Sequence, residues 1–340
     1  VSGEFRNAAE HAVLRTAPEP WQGISDAAVH RLLTAAPRDY FDHMLRRLGD
    51  IAAGRMQVEM PPKQVFADAG GPADFRVMPC VTRDGDTCTK TVKLVGTNIA
   101  QVRVPDQITV GKALVIDPVE NHVTHIVDAC LLSSARTGLC AALAIRLLCA
   151  GATSAAVIGS GRVGYYSALY AATCCGVHDI TFSDCRPERA AAAAEALAAR
   201  VPGTVCRSSD RIESAEVAIL ATTSATPPCA PPGWNAGLII SLGADIDHQS
   251  ELDERWAGLA DVYVDTRDST RFGDLKKWLA RGLLRAESIR QFSDLLTGAA
   301  PGAAGSRTRL FVSTGSALFD NLTLEYLLRQ VGDPPPQSGR

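Results

Sequence analysis

The chain has 340 residues, more than one hydrophobic core usually serves, so two domains are expected. Its 46% apolar and 21% charged residues are the balance of a folded globular protein and exclude a disordered one. A formal net charge of −3 gives no electrostatic reason to expect nucleic acid or an anionic membrane as a partner.

The opening VSGEFRNAAEHAVLRTAP lacks the charged-then-apolar layout of a signal peptide, and a cytoplasmic protein is expected. Residues 25–56 carry helical spacing, as in ISDAAVHRLLTAA and DYFDHMLRRLGDIAAG. From Val65 to about Val127 the texture changes to short β-rich runs, FRVMPCVTR, TKTVKLVG, KALVIDP and THIVDA, the pattern of a meandering sheet. His122 and His125 sit three apart in a strand or turn, where alternation separates their faces, and no metal site is expected.

ARTGLCAALAIRLLCAG predicts a long helix from Ala135 to near Gly151; its apolar run, extended through ATSAAVIG, is broken by Arg146 and does not make a membrane span. Short apolar strands then alternate with helices: SAAVIGSG, HDITFSDC, the helix PERAAAAAEALAARV, GTVCRSS, EVAILATT, GLIISLGA and DVYVDT. That alternation predicts a parallel sheet covered on both faces. Further helices are expected over 271–297, then a loop GAAPGAAGSRT, a strand RLFVSTG, a helix ALFDNLTLEYLLRQV and a disordered tail DPPPQSGR. The ten cysteines are scattered through apolar segments with no C-x-x-C, and predict buried reduced thiols.

Within AAVIGSGRVGYYSALYAA, Gly159, Gly161 and Gly164 fall at the G-x-G-x-x-G spacing between a strand and a helix. Backbone N–H groups of Ser160, Arg162 and Val163 and the helix dipole would then face a pyrophosphate. Asp184 ends the next strand, twenty-five residues after Gly159, where a carboxylate can accept both hydroxyls of an adenine ribose and repel a 2′-phosphate. That favours NAD over NADP, with Cys185 and Arg186 beside it and Arg186 able to soften the preference.

Read together, VMPC at 77–80, TKTVKLVGTN, SSARTG, the glycine turn, GADIDHQSEL and STGSALFDN resemble the ornithine cyclodeaminase and μ-crystallin family, in the family's order, over roughly residues 60–325. The resemblance implies an α/β fold: a Rossmann dinucleotide-binding domain, 136–312, and a discontinuous α+β substrate and dimerisation domain, 1–135 with 313–340, in a homodimer. It implies NAD(P) and an amino or imino acid substrate. Members include cyclodeaminases, alanine dehydrogenases, ketimine reductases, enzymes that oxidatively cleave N-substituted amino acids on the way to diaminopropionate, and a non-catalytic hormone-binding crystallin.

Residue by residue, the resemblance makes Arg136 the arginine that grips the substrate carboxylate, for which a guanidinium offers a planar fork. The family's catalytic lysine is Lys90 by its spacing to Asn98, or Lys93 by the local wording VKLVG; the spacing is preferred. Lys63 stands where the family commonly has a second arginine, supplying charge without the bidentate geometry. Asp245 would accept the substrate amine and act in proton transfer, and Thr222, Thr223 and Ser224 would meet the cofactor near the nicotinamide ribose. Asn98, Thr137 and Gly315 complete the expected cofactor contacts. Hydride transfer at Cα would give an imine, attacked by a side-chain amine in a cyclodeaminase or by water in a dehydrogenase or oxidative cleavage; the reverse reaction is a reductase.

Overall fold

A computed structural model gives the structure of the protein and describes residues 8–67, 73–98, 100–210, 214–228, 230–231, 234, 236–246, 248–298 and 307–331. Most of the predicted loop at 298–308, and the tail at 333–340, lie outside them.

The first half runs α1 (Ala8–Leu14), β1 (Gln22–Ile24), α2 (Asp26–Ala35), α3 (Pro37–Ala52), β2 (Gln57–Glu59), β3 (Gln64–Ala67), β4 (Ala73–Asp84), β5 (Thr87–Asn98), β6 (Thr109–Ile116), β7 (Val123–Asp128) and α4 (Ala129–Leu148). The second runs β8 (Ser154–Ile158), α5 (Arg162–Cys175), β9 (Asp179–Ser183), α6 (Pro187–Arg200), β10 (Val205–Ser208), β11 (Val217–Leu220), β12 (Leu238–Ser241), α7 (Trp256–Leu259), β13 (Ala260–Val264), α8 (Gly273–Ala280), β14 (Arg290–Gln291), α9 (Phe292–Leu296), β15 (Thr308–Val312) and α10 (Ala317–Val331).

The first sheet orders its strands β1-β7-β6-β5-β4-β2, with β3 also on β4, and only the β1–β7 pairing is parallel. Its long strands alternate: in β4, Arg76, Met78, Cys80 and Thr82 are buried while their neighbours are not. One face is therefore covered, and α10 lies on it against β4 and β5. Asn321 fastens that contact, donating to the Cys80 and Thr89 carbonyls and accepting from the Thr82 hydroxyl at 2.9 Å. The other face carries a row Pro79–Val92–Leu114–Ile126 in register across four strands, none of them buried.

The second sheet is parallel throughout, in the order β10-β9-β8-β11-β12-β15-β13-β14. Strands β11 and β12, VAIL and LIIS, are buried at every position, as a sheet covered on both faces requires. The strand order reverses between β8 and β11, the place in such sheets where a crevice opens at the carboxyl ends.

Helix α4 joins the two parts. It starts at Ala129, six residues before the expected start, and the boundary expected at 135/136 falls inside it. By length and composition it could cross a membrane, yet it is buried as a core helix. Gly138 lets it approach α5 so closely that a Cβ there would sit 2.6 Å from the Ser167 nitrogen. The helical stretch expected over 271–297 is broken into 3₁₀ turns, α8, the two-residue β14 and α9. Nine cysteines among the described residues are free, Cys185 alone of them exposed.

Candidate active site

The glycine turn sits on the strand-order reversal. Gly159 has φ 92°, and a Cβ on it would come 2.3 Å from the Ala221 carbonyl at the end of β11. A Cβ on Gly164 would come 2.0 Å from the Gly159 carbonyl, so both glycines are required by the turn's own packing. Gly161 differs: a Cβ there meets nothing within 4 Å. It is the N-cap of α5, whose first N–H groups have no partner within the helix. The open space before those donors fits a pyrophosphate.

Asp184, just past β9, accepts from the Ser160 N–H at 2.8 Å and the Arg186 N–H at 3.0 Å; the Cys185 thiol, at 3.5 Å, also points to it. This carboxylate is thereby tied to the turn, and it takes the Ser160 N–H that was expected to face a pyrophosphate. Arg162 donates to the Asp106 carbonyl at 2.6 Å and ties the β5–β6 loop to the start of α5, where Val163 packs on the core. Asn98, at the root of that loop, makes local bonds to Ala100 and Ile108.

At the ends of β11 and β12 a carboxylate unforeseen in the sequence organises the chain. Glu251, fully buried, accepts from the Thr222 N–H (2.6 Å) and hydroxyl (3.0 Å), the Ser241 hydroxyl (2.7 Å) and the Leu242 and Gly243 N–H groups (3.1 and 2.8 Å). It fixes the loop holding Thr222, the exposed Thr223 and Ser224 next to the loop that leads to Asp245. The polar run HQSELDER around it gave no sign that this glutamate is buried.

Along the same carboxyl edge the first sheet brings up its charges. Arg136, buried on α4 beside Thr137, donates through Nε to Asp320 of α10 at 2.9 Å. Its Nη1 is buried with no hydrogen-bond partner, and its Nη edge packs on Gly315, where a Cβ would be 2.8 Å from Nη2. Lys93, also buried, pairs with Asp320 at 2.7 Å and donates to Ser133 at 3.2 Å. Lys63 donates to the Thr314 carbonyl at 2.8 Å, and its Nζ stands 3.9 Å from the centre of the Phe272 ring. Asp245 pairs with Arg76 of β4, which also holds Asp74.

The preference for Lys90 is corrected. Lys90 shares the parity of Val92 and Leu94, and its Nζ donates to Pro118 and Asn121 on the outer side, whereas Lys93 shares the buried parity of Thr91 and Val95. Sequence reasoning also missed Arg76 and Asp320. Both had a signal: an arginine on the inward parity of an alternating strand, and an aspartate inside an apolar helix.

Burial pushes the Lys63 ammonium down to about 8, against the pull of Asp245, and Lys93 down to about 7, against the pull of Asp320. Burial also pushes the Asp245 carboxyl up, but Arg76, Lys63 and Arg136 together outweigh it and hold the group below the usual carboxylate range. The site therefore gathers an ionised carboxylate, a buried guanidinium whose Nη1 has no hydrogen-bond partner, and two lysines whose pKa values burial brings down, a grouping suited to proton transfer.

These features define a class: a doubly wound nucleotide-binding sheet whose carboxyl edge is completed by charges from a second sheet. The ornithine cyclodeaminase/mu-crystallin family model matches residues 25–333, and the chain belongs to that family. It is 28% identical to an L-lysine cyclodeaminase of Streptomyces rapamycinicus over 324 residues, 88% of this chain and 89% of that one. Among solved structures it resembles the Thermococcus litoralis Δ1-pyrroline-2-carboxylate reductase in complex with NADH and L-proline (TM-score 0.80, 18% identity, 92% of this chain and 99% of that one). It also resembles an archaeal alanine dehydrogenase dimer with bound NAD (TM-score 0.77, 18% identity, 92% and 98%).

Proposed function

We propose that this protein is an NAD-dependent oxidoreductase acting at the Cα–N bond of an α-amino acid, interconverting amine and imine. The observation that carries the reading is the pairing, on one sheet edge, of an open glycine cradle with a buried arginine whose Nη1 lacks a partner and an ionised aspartate. The relatives named above, a lysine cyclodeaminase, a pyrroline-carboxylate reductase and an alanine dehydrogenase, support it.

Gly161 and the first N–H groups of α5 would hold the pyrophosphate, and Asp184 the adenine ribose. Bound NAD supplies the hydride acceptor. Arg136 and Lys63 hold the substrate carboxylate; the free Nη1 gains the acceptor that burial denies it. Lys93 and Asp320 keep Arg136 in place. Asp245 takes the amine proton on oxidation, gives it up to solvent, and as a carboxylate again serves as base for water, or yields to a side-chain amine of the substrate. Fixing carboxylate and amine together orients Cα, and such positioning supplies much of the rate.

The free thiols favour a reducing compartment, the cytoplasm. The row Pro79–Val92–Leu114–Ile126 is the face through which two copies would pair. Replacing Asp245 with Asn tests the chemistry: turnover falls ~100-fold or more, the range for a lost general base, while NAD titration gives an unchanged Kd. Turnover equal to the parent's would overturn the reading.

A further inference from the structure

We propose that Arg76 is the positioning residue for Asp245, bracing it across the junction of the two sheets, with Asp74 aligning the brace. This rests on the reading above, in which Asp245 takes the substrate's amine proton. Arg76 Nε and Nη2 donate to the two Asp74 oxygens at 2.8 and 2.7 Å, a parallel fork that fixes the guanidinium plane. The same guanidinium reaches both Asp245 oxygens, through Nη1 and, at 3.4 Å, through Nη2. Asp245 lies on the loop after β12 and Arg76 on β4, so the pair joins the cofactor edge to the other sheet.

The side chains of Asp74 and Arg76 are 6% and 7% exposed, that of Asp245 27%, so Asp245 is the member of the trio left open to a substrate. The other charged groups facing Asp245 are Lys63, from the segment before β3, and Arg136, from α4; Asp268 accepts from the Lys63 backbone N–H at 3.4 Å. Without Arg76, Asp74 and Asp245 would be two part-buried carboxylates sharing one site, which drives one of them to hold a proton. A protonated Asp245 cannot take the amine's proton. A lysine would keep the charge but could not fork both carboxylates.

The test uses the full-length enzyme saturated with NAD and whichever member of a panel of L-amino acids, L-ornithine and L-lysine included, it turns over. In Arg76→Gln the acid limb of the kcat–pH profile rises by ~1–3 units, the usual effect of an adjacent arginine on an aspartate. At neutral pH kcat falls ~100-fold, as for a misplaced catalytic group, with the NAD Kd within about twofold of the parent's. Arg76→Lys keeps the acid limb within about one unit of the parent's while lowering kcat. Carbon-13 NMR of the aspartate carboxyl groups, with Asp245→Asn assigning the resonance, reads the same rise without turnover.

An unmoved acid limb or carboxyl titration in Arg76→Gln overturns the proposal. If that variant does not fold, Asp74→Asn loosens the brace alone, and an unchanged kcat there overturns the alignment. An active Asp245→Asn enzyme sinks the functional reading itself; an inactive one beside a parent-like Arg76→Gln sinks only the role of Arg76.

Discussion

Lys63 carries its charge under strain. Its Nζ has one carbonyl and one ring face for company, and burial brings its pKa down to about 8. The free enzyme therefore loses this ammonium as pH rises through 8, and with it part of its hold on a carboxylate. An arginine in its place stays charged throughout. The ratio of kcat/KM for Lys63→Arg to that of the parent should accordingly grow above pH 8; a pH-independent ratio would remove Lys63 from carboxylate binding. Lys63, Arg136 and Asp245 became candidates because the resemblance pointed at them, and the structure brings the three charges together. Arg76 did not, although parity alone put a charge on the covered face of β4, because a single strand does not say which loop of another sheet lies opposite.

At the level of elements, the strand–turn–helix from β8 to α5 was fully legible, since its glycines answer to local geometry. Its three glycines nevertheless have different duties. Gly161→Ala should melt with the parent, because the new Cβ meets nothing, while weakening NAD binding ~10-fold or more by filling the cradle. Gly164→Ala should lose ~1–3 kcal/mol or more of stability, since its Cβ would overlap the Gly159 carbonyl. Thermal unfolding and NAD titration of both variants check this, and equal NAD affinity in Gly161→Ala would count against the cradle. Strand β5 teaches the opposite lesson. Counting back from Asn98 chose Lys90, whereas the two-residue period of the strand, applied from Val95, selects Lys93. The start of α4 was misplaced because Asp128 passes from strand to helix with no glycine or proline to mark the turn.

For the whole molecule, alternating strands and helices announced the parallel sheet, and the meander announced the antiparallel one. What the sequence could not place is their junction. Helix α4 is wedged among α2, α5 and α10, and the ion pairs Arg136–Asp320 and Arg76–Asp245 link residues 184 and 169 positions apart. The site exists only where these parts meet. The direct measurement is stopped-flow absorbance of reduced nicotinamide on mixing enzyme and NAD with Cα-protonated and Cα-deuterated L-amino acids. Hydride transfer from Cα gives an absorbance rise, transient or lasting, that deuterium slows; a protein that binds NAD yet gives no rise with any amino acid, and consumes no NADH with cyclic imines, would contradict it.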